Sequence, residues 1–177
     1  MRASVIGAYF YDDLDQLKRN AELSCEVTHA NKEAIEGTKA IALAAAFVVQ
    51  EKMGLIKLNQ QDFVQKIQDE LYDSDMKSKL NKVLFLNENP SIELLVSILG
   101  NGIKMTAQDT VPIVIWMLSR YRNNIEECLW NTVSALGDRD TTCAMVGGVS
   151  ILCCDENTLP TWIKNVEDWK NSKFYEN

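Results

Sequence analysis

The chain has 177 residues, a hydrophobic fraction of 46%, a charged fraction of 24% and a formal net charge of −7. That is enough chain for one domain with its own hydrophobic core, and the composition is that of a soluble globular protein. The negative balance excludes a surface that holds nucleic acid through phosphate contacts, and no Lys/Arg cluster falls on a predicted helix to offset it.

In chain order, Asp13 to Val27 places Leu14, Leu17 and Ala21, with Ser24 or Cys25, on one face at helical spacing. A second helix is expected from about Asn31 to Met53, ended by Gly54 where a left-handed residue is wanted. Ala34, Gly37, Ala40, Ala42, Ala44, Ala45 and Ala46 line it, and such small side chains let neighbouring helices approach from several sides, so this helix is expected at the centre. Its apolar stretch, Ala40 to Val49, is about ten residues and too short to span a bilayer. Asn59 to Tyr72 and Asp75 to Leu86 read as outer amphipathic helices with Phe63, Ile67 and Leu71 turned inward. Asn87-Glu88-Asn89-Pro90 breaks the chain, Pro90 to Leu99 restarts it, and Gly100-Asn101-Gly102 is a turn.

Thr110 to Tyr121 is expected as the next helix, with Pro112 tolerated in its first turn. Asn123 or Asn124 caps another, whose apolar stripe is Ile125, Leu129, Val133 and Leu136, and Gly137 stops it. After Asp138-Arg139-Asp140-Thr141-Thr142 a very apolar helix runs to about Cys153, and a last helix from Pro160 presents Trp162, Val166 and Trp169. No period-2 strand, internal repeat or low-complexity linker interrupts this pattern. The fold class expected is all-α, as a single domain over residues 1–177.

Five cysteines, odd in number and placed on predicted helices, fit buried thiols in a reducing compartment better than a disulfide framework. One histidine and no C-x-x-C pair leave no basis for a structural zinc site. Met1-Arg2-Ala3-Ser4 runs straight into polar, acidic sequence and reads as no signal peptide, so a cytoplasmic location is expected.

The run Gly137-Asp138-Arg139-Asp140-Thr141 is where chemistry concentrates. Carboxylates at i and i+2 diverge on an α-helix but converge on the turn before one, and such oxygen donors suit a hard cation such as magnesium. The alternative is that Asp138 or Asp140 is a helix N-cap, contributing about 1 kcal/mol; spacing alone leaves both readings open. A calcium loop of the EF-hand type is rejected because its sixth and twelfth positions would be Cys143 and Val149 instead of Gly and Glu. A haloacid-dehalogenase D-x-D-x-T fits the letters from Asp138 to Thr142, but that motif follows a buried parallel strand and the preceding segment here is amphipathic helix.

Taken in order, several segments resemble the ADP-ribosylglycohydrolase family. Gly137-Asp138-Arg139-Asp140-Thr141 is similar to its G-D-T-D-T run, followed by the small-residue helix Ala144-Met145-Val146-Gly147-Gly148 and by Leu159-Pro160-Thr161-Trp162. Thr28-His29 with Ala34 and Glu36-Gly37 resembles its T-H segment and the helix after it. Thr110-Val111-Pro112 resembles its S/T-V-P helix start, and Met1-Arg2-Ala3-Ser4-Val5-Ile6-Gly7 its M-R-x-x-P-I/V-G segment, with Val5 where proline is usual. The resemblance implies the C-terminal part of an all-α, orthogonal multi-helix bundle, with a cleft that holds two Mg2+ ions when complete. It further implies cleavage of the bond between ADP-ribose and a protein side chain or related acceptor, so ADP-ribose or an ADP-ribosylated protein is the expected partner. Asp138, Asp140 and Thr141 fall on its C-terminal metal-ligand positions, His29 falls near its substrate, and the loop with Asn101 and Ile103 borders the adenosine side.

Two departures accompany the resemblance. Arg139 stands where threonine is usual and could pair with either aspartate in competition with metal. The family's other ligands, a Thr-Asp-Asp run, precede the M-R segment with which this chain begins, and Asp12-Asp13 belongs to a different segment. The expectation is half of a two-metal site, weak in metal by itself, from a fragment, a split enzyme or an inactive relative. Self-association or a partner supplying the other half is expected to cover apolar helix faces. The competing reading is a catalytically inactive helical interaction or nucleotide-binding module.

Overall fold

The computed structural model describes residues 1–86, 89–155 and 159–165, and among them every regular element is helical. The helices are α1 (Ala3–Tyr9), α2 (Leu14–Glu26), α3 (Lys32–Lys52), α4 (Gln60–Asp69), α5 (Asp75–Leu84), α6 (Ile92–Leu99), α7 (Ala107–Tyr121), α8 (Ile125–Ser134) and α9 (Arg139–Ser150), followed by a 3-10 turn at Thr161–Asn165. Short polar residues start most of them. Asn31, Asn59, Ser74, Ser91 and Asn124, on extended backbone, accept the N–H of Ala34, Asp62, Lys77, Leu94 and Glu127, and Asp13 does the same for Gln16. Each satisfies an N–H that has no partner inside its helix.

Two helices form the axis. In α3 the run from Ala40 to Val48 is buried throughout, and in α7 every residue from Asp109 to Ser119 is buried. They pack on each other; α1 and α2 lie against α3, α4 and α5 bridge the pair, α6 and α8 lie on α7, and α9 touches α3, α7 and α1. The alanines of α3 permit this crowding. A Cβ on Gly7 would overlap the Ala42 carbonyl and sit 2.8 Å from the Ala45 methyl, so α1 rests directly on the α3 backbone.

One buried ion pair ties the axis at its far end. Arg122 donates to both Glu51 oxygens at 2.7 and 3.0 Å, and to the carbonyls of Leu58 and Ser119 at 2.7 and 2.8 Å. Its guanidinium also lies 4.5 Å from the Phe63 ring centroid. Such a buried charge is tolerated because four of its five N–H donors, and the facing carboxylate, find partners.

Four elements differ from the sequence expectation. Helix α1 was not expected: its fully buried residues are the small Ala3, Ser4 and Gly7, and its apolar spacing of Ala3, Ile6 and Phe10, the last two half-buried against the core, is too short to stand out as a period. Helix α7 begins at Ala107 instead of Thr110, so Pro112 lies beyond the first turn. Helix α8 ends at Ser134, and Leu136, at φ 57° and 62% exposed, is not part of its buried face of Ile125, Cys128 and Thr132. Helix α9 ends at Ser150, short of Cys153. Trp162 is 39% exposed on the 3-10 turn, while Val166, Trp169 and the Asn87-Glu88 break lie outside the described residues. Among the described residues no helix is long and apolar enough to cross a membrane.

Candidate functional site

The α8–α9 connection is a sharp reversal. Leu136 and Gly137 are both left-handed, at φ 57° and 66°, and a Cβ on Gly137 would overlap Asn101. The opposing turn fits against it: Gly102, at φ 87°, leaves no room for a Cβ, which would stand 2.8 Å from the Cβ of Asp138. The Asp138 N–H donates to the Asn101 carbonyl at 3.0 Å, and Asn101 Nδ2 donates to the Ala135 carbonyl at 3.0 Å.

Asp109 holds that turn from behind. It is 4% exposed in the first turn of α7; its carbonyl accepts from Gly102 N–H at 2.9 Å and its Oδ2 from Lys104 N–H at 3.0 Å. Sequence reasoning missed this residue. The signal was there in Thr106-Ala107-Gln108-Asp109 before an apolar run, the spacing of a helix start. Thr106 makes no side-chain cap, however, and Asp109 turns back to the loop.

Asp138 is the N-cap of α9, its Oδ1 accepting the Thr141 N–H at 3.3 Å. The N-cap alternative is therefore realised, and it does not exhaust the carboxyl. Hydrogen bonding with Asp140 first, then with the Thr141 hydroxyl, holds the Asp138 carboxyl below the ordinary carboxylate range. Asp138, at φ −82° and ψ 77°, precedes the helix instead of lying within it, and Asp140 follows in the first turn. Arg139 is exposed, and among the described residues no ion pair within 4.0 Å joins it to either aspartate. Nor is there, among those residues, a group of three or more His, Cys, Asp or Glu side chains placed to hold a metal.

Asp138 and Thr141 open onto a cleft of about 610 Å³, whose lining also includes Met1–Ala3, the end of α2, Ala34 to Ile41 of α3, the start of α7 and Met145. His29 and Thr28 line the same cleft. His29 Nδ1 lies 2.9 Å from the Thr28 hydroxyl, and Arg2 reaches Ser24 and Thr28 beside it. Asn101 and Ile103 are placed differently. Asn101 is occupied in bracing the α8–α9 turn, and Ile103 is 71% exposed outside the lining. Asp140 is exposed outside the lining, beside Asp138.

The sequence profile of the family described as ADP-ribosylglycohydrolase matches residues 1–175. An uncharacterized protein of Archaeoglobus fulgidus is 28% identical over 84% of this chain and 46% of its own length. The ADP-ribosylhydrolase ARH3 of Gallus gallus is 25% identical over 92% of this chain and 51% of its own. The chain thus spans about half the length of the curated relatives it matches. No solved structure matches it. With an all-helical fold, the Gly137–Thr141 run at a helix start and a profile match over nearly every residue, the chain belongs to the ADP-ribosylglycohydrolase family.

Proposed function

We propose that this chain forms one wall of a magnesium-dependent site that hydrolyses the bond between ADP-ribose and a protein side chain or related acceptor. The observation that carries this reading is that Asp138, Thr141 and His29, distant in sequence, line one cleft of about 610 Å³. A cleft of that size is within the range that takes a ligand as large as ADP-ribose. The donors fit a hard cation: two carboxylates and a hydroxyl, all oxygen, which is the number of carboxylates magnesium usually takes while keeping several waters. Asp138, Asp140 and Thr141 would hold it, and a bound ion there would supply Lewis-acid polarisation of ribose oxygens or of a water. The residues of this chain orient the ligand: Asp138 and Thr141 from the α9 start, and His29 by hydrogen bonding.

Because the chain spans about half of its relatives' length, we further propose that a partner or second segment contributes the remaining ligands beside this wall. Five free thiols agree with a reducing compartment such as the cytoplasm. The expected consequence of Asp138→Asn is a loss of divalent-ion affinity of at least about 10–100-fold, the loss that removal of an outer-shell partner already brings. Manganese binding followed by electron paramagnetic resonance reads this directly, and equal affinity for both proteins would refute the metal assignment.

A second reading, a helical module that binds nucleotide or protein without chemistry, has one observation in its favour. Among the described residues no group of three or more candidate ligands comes together. ADP-ribose binding that is indifferent to divalent ions would select it.

A further inference from the structure

Thr28 sits at the centre of a small hydrogen-bond junction beside the cleft. A hydroxyl has one proton to give and two lone pairs to accept with. Arg2 can only donate, and its Nη2 reaches the Thr28 Oγ1 at 3.3 Å while also bonding the Ser24 carbonyl at 2.8 Å. That fixes one lone pair as an acceptor. The Thr28 proton then has two destinations: the Cys25 carbonyl at 3.4 Å, or His29 Nδ1 at 2.9 Å. The carbonyl is already supplied, since its two lone pairs accept the N–H of Thr28 at 3.0 Å and the N–H of His29 at 2.7 Å. A third donor at the longer distance competes poorly there, which favours the ring nitrogen at the shorter one.

We propose that Thr28, backed by Arg2, is a positioning residue that holds His29 as its Nε2–H tautomer, so that the ring donates a hydrogen bond to an acceptor oxygen of the ligand in the cleft. A nitrogen that accepts from a hydroxyl carries no proton, which leaves the proton on the other nitrogen. Among the described residues the opposite edge of the ring meets no protein hydrogen-bond partner, so the Nε2 proton is available to a ligand. The identity of that ligand as ADP-ribose rests on the function proposed above; the tautomer does not.

His29 is the single histidine of the chain, so a long-range nitrogen–proton correlation spectrum of the neutral ring contains one imidazole. The reference is a short peptide with the same local sequence. The expected result is an Nδ1–H population below that of the peptide. Thr28→Ser, which keeps the hydroxyl, retains the pattern, and Thr28→Val, which removes it, returns the ratio to the peptide value. Predominance of Nδ1–H in the native chain, or a ratio that Thr28→Val does not move, would overturn the relay. Addition of ADP-ribose then separates the two claims. A shift of the Nε2–H signal supports both, whereas the expected tautomer with no shift leaves the relay standing and counts against ADP-ribose as the ligand.

Discussion

At Asp138, folding and site chemistry use the same carboxyl. One oxygen closes the first turn of α9, and the carboxyl is held below the ordinary range by Asp140 and Thr141 beside it. From spacing alone, capping and metal binding stood as competing explanations; the geometry makes them compatible, because a cap occupies only part of a carboxylate's accepting capacity. Other single residues were not legible. Asn101 belongs to a turn that sequence can locate, but that its amide bonds the Ala135 carbonyl depends on a contact between distant segments. A residue-level consequence concerns the thiols. Burial pushes Cys128 up to about 12 and Cys153 to about 11, from an ordinary value of 9.0. A thiol whose folded value is raised stabilises the fold fully below its unfolded value, and that contribution is lost as pH rises through the folded one. Unfolding free energy is therefore expected to fall between about pH 9 and pH 12, with Cys128→Ala flattening the slope in denaturant titrations across that range; an unchanged slope would contradict the assignment.

Among elements, the pair α3 and α7 carries the fold, and Arg122 with Glu51 joins their ends inside the protein. The Arg122 and Glu51 side chains are only 6% and 16% exposed, so Arg122→Ala leaves a carboxylate without its partner. The expected loss is about 3–5 kcal/mol, measured as a lower urea midpoint at unchanged slope. A loss below about 1 kcal/mol, the range of a surface pair, would show that the contact is not closed to water. The central helix was legible from its alanines, and most helix starts were legible from their Ser, Asn or Asp caps, because these are local signals. Helix α1 was not, since seven residues with small fully buried side chains carry too short an apolar period, Ala3, Ile6 and Phe10, to stand out. The start of α7 was misplaced although its signal is local, Asp109 reaching back five residues to Lys104 N–H; the end of α8 was misplaced because it depends on a tertiary contact, Leu136 being held left-handed where Gly137 meets Asn101.

For the whole molecule, the cleft lies where the chain start, α2, α3, α7 and α9 meet, and apolar side chains stand exposed on two of those elements. Val5 and Tyr9 on α1 are 72% and 76% exposed, and Leu23 and Val27, at the end of α2, are 53% and 80% exposed. Such positions on elements that border the cleft agree with a partner or second segment covering this side. The fold class and three residues of the lining, Asp138, Thr141 and His29, were legible in sequence order, whereas the absence of Asn101 and Ile103 from that lining is a property of five elements packed together. The central claim, that this cleft is an ADP-ribose site dependent on a divalent ion, is met most directly by calorimetric titration of the chain with ADP-ribose, with and without magnesium. Binding that requires magnesium and disappears in Asp138→Asn is the expected result. Absence of binding at millimolar ligand, or binding of equal strength in both conditions and both proteins, would contradict it.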